Sequence, residues 1–462
     1  MTPDTAADID PRKLLDEAPM GRAQILAVAT TVALNALDGF DVLAISFAAP
    51  GIVAEWGINR AELGVVLAME LIGMALGSIL LGGVTDRVGR RPVNLGCLLL
   101  MALGMLMAAR AGSVGELGAW RVLTGIGIGG MLASINATAA EYANRKSRNL
   151  CVSLMAIGYP LGAIVGGTIA AQLLRLFDWR AVFYFGALVT VLMIPLTAWL
   201  LRETVPYLCQ RRPAGALDKI NRELRRLGHA TVARLPAPPA RTGGDSPLAL
   251  FGPSLIRVTL LLTLAYFMHI ATFYFILKWV PQIVVGMGFD PANAAGVLVW
   301  ANIGGALGGA LLGLLGRHLP IHRLTIAALC LSVIMVTLFG HGADSLAGIS
   351  LLVAVTGFCT NAGVVGLYAL FAQRFPTAQR ASGTGFAIGV GRGGAALSPI
   401  VVGVLFTLDL DLQAVAIVMA LGAAIAAVAV LLLGPEPVQT EQRRAQEENT
   451  SHTRLTPDSQ SG

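Results

Sequence analysis

The 462-residue chain is 55% hydrophobic and 13% charged, with a formal net charge of +6. Soluble domains carry about a quarter charged residues, so this chain has too few charges to cover a water-facing surface. Five scattered cysteines (Cys97, Cys151, Cys209, Cys330 and Cys359) show neither a metal-ligand spacing nor a disulfide framework, and they read as small packing residues.

The first 21 residues are polar and mixed in charge, with no cleavable signal peptide apparent. Apolar runs of membrane-spanning length then recur along the chain. Twelve spans are expected, near residues 24–47, 62–83, 93–110, 117–139, 151–174, 181–201, 255–280, 293–315, 323–341, 347–371, 384–406 and 413–433. Residues 202–254, rich in Arg, Pro and Gly, separate the sixth span from the seventh; they read as a helical piece around Leu217–Leu227 followed by a flexible linker. The expected division is a six-helix bundle over 1–201, a linker over 202–254, a second bundle over 255–434 and a disordered tail over 435–462.

Basic residues sort by loop. One side collects Arg87, Arg90, Arg91, Arg145, Lys146, Arg148, the central linker, Arg317, Arg323, Arg374, Arg380, Arg443 and Arg444, whereas the other carries isolated arginines beside acids. The positive-inside rule places the first side, with both termini and the linker, in the cytoplasm. The net charge is then a consequence of topology and calls for no nucleic-acid partner.

Polar residues inside the spans are the candidates for function. Asp38 and Asp41, in LDGFDVLAISFAAP (37–50), are three apart on one helix face. A central Asp costs about 2.5–3.5 kcal/mol on the insertion scale, so the pair is expected to face the bundle interior or a wet cavity, poised to take up and release a proton. Glu70, in the second span, lies at similar depth. It is read as a second proton site, a partner for Arg121, or an acid shielded in neutral form. The second half brings His269, Asn302, Asn361 and Arg392 to mid-depth, Tyr274 among aromatic residues, and Lys278 toward the outer end of the seventh span. Arg392 falls some nine residues into its span. That is about 13 Å deep at 1.5 Å per residue, where an arginine is a functional-site candidate by default.

Several motifs carry a resemblance. GGVTDRVGRR (82–91) supplies Gly83, Asp86, Arg87, Gly89, Arg90 and Arg91; RVLTGIGIGG (121–130) sets Arg121 ahead of four glycines; EYANRKSR (141–148) begins with Glu141. These resemble the G-x-x-x-D-R-x-G-R-R loop, the R-x-x-x-G-x-G-x-G-G segment and the E-Y-x-P-x-x-x-R pattern of the major facilitator superfamily, although the proline of the last is missing. DGFD (38–41) and RFPTAQRASGTGFAIGVGRGGAALSP (374–399) are similar to segments of its aromatic acid:proton symporter branch. The resemblance implies an all-α integral membrane protein with the major facilitator fold, twelve transmembrane helices in two six-helix pseudo-symmetric bundles, in the cell inner membrane. It implies a symporter, not an enzyme, importing an aromatic carboxylate such as a benzoate or hydroxybenzoate by alternating access, monomeric in lipid and driven by the proton gradient without a cofactor.

Joined to the depth argument, that reading gives Asp38, Asp41 and Glu70 to proton coupling. Arg392, His269, Tyr274, Asn302 and Asn361 go to the organic anion, and Gly83, Asp86, Arg87, Gly89, Arg90, Arg91, Arg121 and Glu141 to gating. GYPLGAIVGG (158–167) is similar to segments of drug antiporters in the same superfamily. Proton antiport, or transport of another organic acid or sugar, is therefore the alternative, with a membrane sensor behind it.

Overall fold

Where no water reaches the backbone, a spanning segment must satisfy its own N–H and C=O groups, and a helix does so within one segment. The computed structural model describes residues 10–235, 250–253, 255–376 and 379–434, without the side chains of Asp86 and Ala381. The expected tail, with Arg443 and Arg444, and the Pro-rich stretch 236–249 lie outside the described residues.

The helices are α1 (Pro11–Glu17), α2 (Arg22–Trp56), α3 (Arg60–Val88), α4 (Arg90–Ala108), α5 (Val114–Tyr142), α6 (Arg148–Leu176), α7 (Arg180–Leu200), α8 (Val205–Arg211), α9 (Ala216–Leu227), α10 (Ile256–Gly286), α11 (Pro291–Leu315), α12 (Ile321–Phe339), α13 (Leu346–Arg374), α14 (Arg380–Thr407) and α15 (Leu412–Leu433). Twelve of them, α2–α7 and α10–α15, are long and apolar enough to cross a membrane. Large apolar side chains are exposed along them, Leu176, Trp199 and Leu351 among the most exposed, while the largely apolar interior also holds buried Asp, Glu, Arg and Lys.

Several helices run past the expected spans, α10 to Gly286 among them, and two of these bear on the site. α2 continues past its apolar stretch to Trp56 with Pro50 inside it, and ends only where Gly57 turns left-handed at φ +60°. α3 continues to Val88 from a capping box in which Asn59 and Glu62 bond each other's backbone N–H groups. Gly83 is therefore helical, and of the motif's glycines only Gly89, at φ +115°, makes the turn.

The main pairings of the first bundle have counterparts in the second. α2 packs on α6 as α10 packs on α14, α3 on α5 as α11 on α13, and α4 on α7 as α12 on α15. Glycines set the tightest of these. A Cβ at Gly125 or Gly129 would lie 2.1 Å from the carbonyl oxygen of Glu70 or Met74, and one at Gly357 would lie 2.1 Å from that of Ala301. Gly158 and Gly162 meet the carbonyls of Val32 and Ala36 in the same manner, so the glycines of 158–167 bring α6 onto α2 backbone to backbone.

The bundles meet through α3 with α14, α6 with α11 and α2 with α10. Close approaches lie away from the arginine-rich end: a Cβ at Gly64 would come 2.4 Å from the Pro399 oxygen, and one at Gly403 would come 2.5 Å from that of Arg60. The Arg60 guanidinium also stands 4.8 Å over Phe406. Toward the arginine-rich end, α3, α5 and α14 part around a cavity of about 720 Å³.

Candidate functional site

Asp38 and Asp41 sit midway along α2, 1% and 0% exposed, and none of their carboxyl oxygens has a hydrogen-bond partner. Their place follows from Gly39 between them, where the Tyr159 carbonyl of α6 passes so closely that a Cβ would lie 2.0 Å from it. The helix face carrying the carboxyls is thereby held inward.

The α3–α5 glycine contact has a second consequence. It brings Glu70 and Arg121, both fully buried, into an ion pair at the Glu70 Oε1, without hydrogen-bond alignment. Arg121 donates through Nη2 to the Asp41 carbonyl oxygen at 2.8 Å, and its guanidinium stands 5.5 Å over the Phe183 ring. Of the three readings open for Glu70, the geometry places it beside Arg121. Lys278, from the other bundle, adds what the sequence reading gave no role. Its Nζ lies 3.4 Å from Glu70 Oε2 and donates to the Val42 carbonyl oxygen. The sequence reading ended this span near residue 280, with Lys278 at its edge; α10 runs on to Gly286, so the lysine lies eight residues inside, where a charge needs a partner.

Arg392 lines the 720 Å³ cavity together with Ser78, Asn136, Arg380 and Thr384. It stands within electrostatic reach of Asp38, Tyr266, Tyr274 and Tyr368, and the hydroxyls of Tyr266 and Tyr368 are 3.0 Å apart. Asn302 and Asn361 line a second, smaller cavity of about 60 Å³ between the bundles, with Tyr159 and Phe273. Their amide N–H groups are already committed, to Leu298 and Gly305 carbonyls at 2.9 and 2.7 Å. His269 lines neither cavity; its Nε2 lies 2.8 Å from the Thr360 carbonyl, against Gly363. The sequence candidates thus divide into a charged cluster, a cavity arginine with tyrosines, and an amide pair. Tyr159, Tyr266 and Tyr368 join them only through the fold.

At the arginine-rich end, Arg90 bonds Glu141 at 2.9 Å and the Thr85 carbonyl at 3.1 Å, and Thr204 donates to the other Glu141 oxygen at 2.5 Å. The start of the linker docks here. Glu203 accepts from the Arg90 backbone N–H at 2.8 Å, where a Cβ at Gly89 would clash with it. Tyr207 donates to the Arg87 carbonyl at 3.0 Å. Burial pushes the Glu203 and Glu223 carboxyls above the usual carboxylate range, against the N–H groups and arginines beside them. The Asp86 side chain lies outside the described residues.

A buried charge cluster at the meeting of two glycine-packed six-helix bundles, with a cavity reaching one end, is an arrangement suited to moving a charged solute through a membrane. The chain belongs to the Major Facilitator Superfamily, which it matches over residues 31–354 and 324–457. It is similar to the gallate transporter of Pseudomonas putida, 31% identical over 414 residues, covering 88% of this chain and 91% of that one. It is also similar to the 4-hydroxybenzoate transporter PcaK of the same species, 29% identical over 396 residues, 84% and 88% of the two chains. Among solved structures it resembles the inward open conformation of the xylose transporter XylE from E. coli. There the TM-score is 0.69 and the identity 18%, with 90% of this chain and 97% of that one covered, a likeness of fold.

Proposed function

We propose that the protein imports an aromatic carboxylate together with protons across the cell inner membrane, with its arginine-rich end and both termini in the cytoplasm. The observation that carries the coupling is the pair Asp38 and Asp41, buried with no hydrogen-bond partner on any carboxyl oxygen. A carboxylate is far more costly to hold without a partner in such a place than a carboxylic acid is. A proton taken up there leaves Arg392, in the cavity, as the cation that meets the substrate. Its planar fork suits bidentate pairing with a carboxylate, and the tyrosines around it offer ring faces and hydroxyls to an aromatic acid.

The transporters named for gallate and 4-hydroxybenzoate support that substrate class. With the arginine-rich end inside, the cavity faces the cytoplasm and the far end is shut, one of the two states that rocking bundles alternate between. The test is uptake of labelled 4-hydroxybenzoate and gallate into proteoliposomes under an imposed proton gradient. Asp41→Asn is expected to abolish accumulation while leaving substrate binding, and Arg392→Ala to abolish binding. Wild-type rates in both variants would overturn the reading.

A further inference from the structure

We propose that Lys278 is the latch between the bundles: by gripping Glu70 and the Val42 carbonyl it holds the far end shut, and it must let go for that end to open. Of the ion pairs between described residues, Lys278–Glu70 is the one that crosses from one bundle to the other. Both side chains are fully buried. Lys278 lies eight residues from the α10 end at Gly286, in the half that is closed. The other contacts across that end are uncharged pairings or a surface ring contact: glycine backbones against carbonyls at Gly64 and Gly403, Gly167 against Val299, and a ring under Arg60. Those separate without stranding a buried charge.

The charges facing Glu70 come from three helices. Arg121 of α5 and Lys278 of α10 are the cations; Asp41 of α2, beside Arg121, and Asp38 of the same helix are the acids. In the closed state Glu70 answers two cations at once. When α10 swings away, Lys278 leaves with it while Arg121 stays, because Arg121 and Glu70 belong to the same bundle and are fixed by the α3–α5 glycines. Glu70 then trades its second cation for contact with whatever fills the opened far side, so it reports which way the transporter faces. This rests on the coupling reading above and adds to it the residue that ties the acid cluster to the gate.

The experiment reads the gate without substrate. Spin labels at Gly115→Cys and Ala347→Cys, exposed at the far ends of the two bundles, are placed in a Cys330→Ser background, since Cys330 is the exposed free cysteine. Their distance distribution is then measured by pulsed electron resonance in lipid nanodiscs. Lys278→Gln is expected to move the main peak to longer distance and Lys278→Arg to keep it, a contrast that a packing defect would not give. Glu70→Gln, which leaves Lys278 in place, is expected to shift it in the same direction. An unchanged distribution in Lys278→Gln, or an equal shift in Lys278→Arg, would overturn the latch. Should Lys278→Gln not purify as a monodisperse species, the double variant Glu70→Gln/Lys278→Gln removes both charges and is held to the same outcomes. Absence of aromatic-acid uptake by the wild-type protein, with the expected distances in the variants, would count against the substrate reading alone.

Discussion

The two bundles use one backbone plan for different purposes. In the first, Gly125 of α5 meets the carbonyl of Glu70 on α3; in the second, Gly357 of α13 meets the carbonyl of Ala301 on α11, both at 2.1 Å to a notional Cβ. Four residues before these glycines stand Arg121 and Val353, each buried. The same helix contact therefore houses a charge pair in one half and an apolar pair in the other. Close glycine packing supplies the geometry, and the side chains one turn away decide what it is for. The first bundle becomes the place where charge is stored, while the second lends one cation, Lys278, across the interface and keeps another, Arg392, in the cavity.

That contrast can be broken at several points. The largest effect is expected at Arg121, because removing one partner of a buried ion pair costs about 3–5 kcal/mol. Arg121→Leu should lower the thermal midpoint of the purified protein far more than Val353→Leu, and comparable losses would show that the two positions are equivalent after all. Gly125→Ala and Gly357→Ala come next. Each forces a Cβ onto a carbonyl and should cost about 1–3 kcal/mol, as overpacking does. Their thermal losses should match, but only Gly125→Ala displaces Arg121 from Glu70, so uptake should fall further in that variant. Equal uptake would mean that the ion pair is not what the glycine protects.

The smallest effect concerns the linker, which docks on the first bundle through Glu203. Burial raises the Glu203 carboxyl, so the docked state holds a proton more readily than the undocked one. Its contribution to docking is full below the ordinary carboxylate range and declines as pH rises through the raised value. Limited proteolysis of the linker should therefore quicken with pH in that window in wild type, and Glu203→Gln should flatten the dependence.

Much of the fold was legible in the chain. Hydropathy gave twelve spans because a membrane leaves the backbone no choice but to bond within each segment, and α9 covers the stretch around Leu217–Leu227 read as a helical piece. Boundaries were legible only in part. The expected first span stopped near residue 47, but Pro50 is accommodated inside a membrane helix and the stop is set at Gly57. The site divides in the same manner. Asp38, Asp41, Glu70, Arg121 and Arg392 stood out because a charge in an apolar span is expensive enough to need a reason. Tyr159, Tyr266 and Tyr368 carried no such signal, since an aromatic residue in a span is cheap.

The sequence by itself determined which residues could not face lipid, and through its motifs and glycines it determined the plan of the bundles. It could not determine who answers whom. Glu70 lies 51 positions before Arg121 and 208 before Lys278, and nothing local to any of them distinguishes a proton site from a salt bridge or a latch. That was decided by the α3–α5 glycine contact and by the closing of α10 on α2. A buried charge is defined by the few ångströms around it, and those are supplied by helices that meet only in the folded protein.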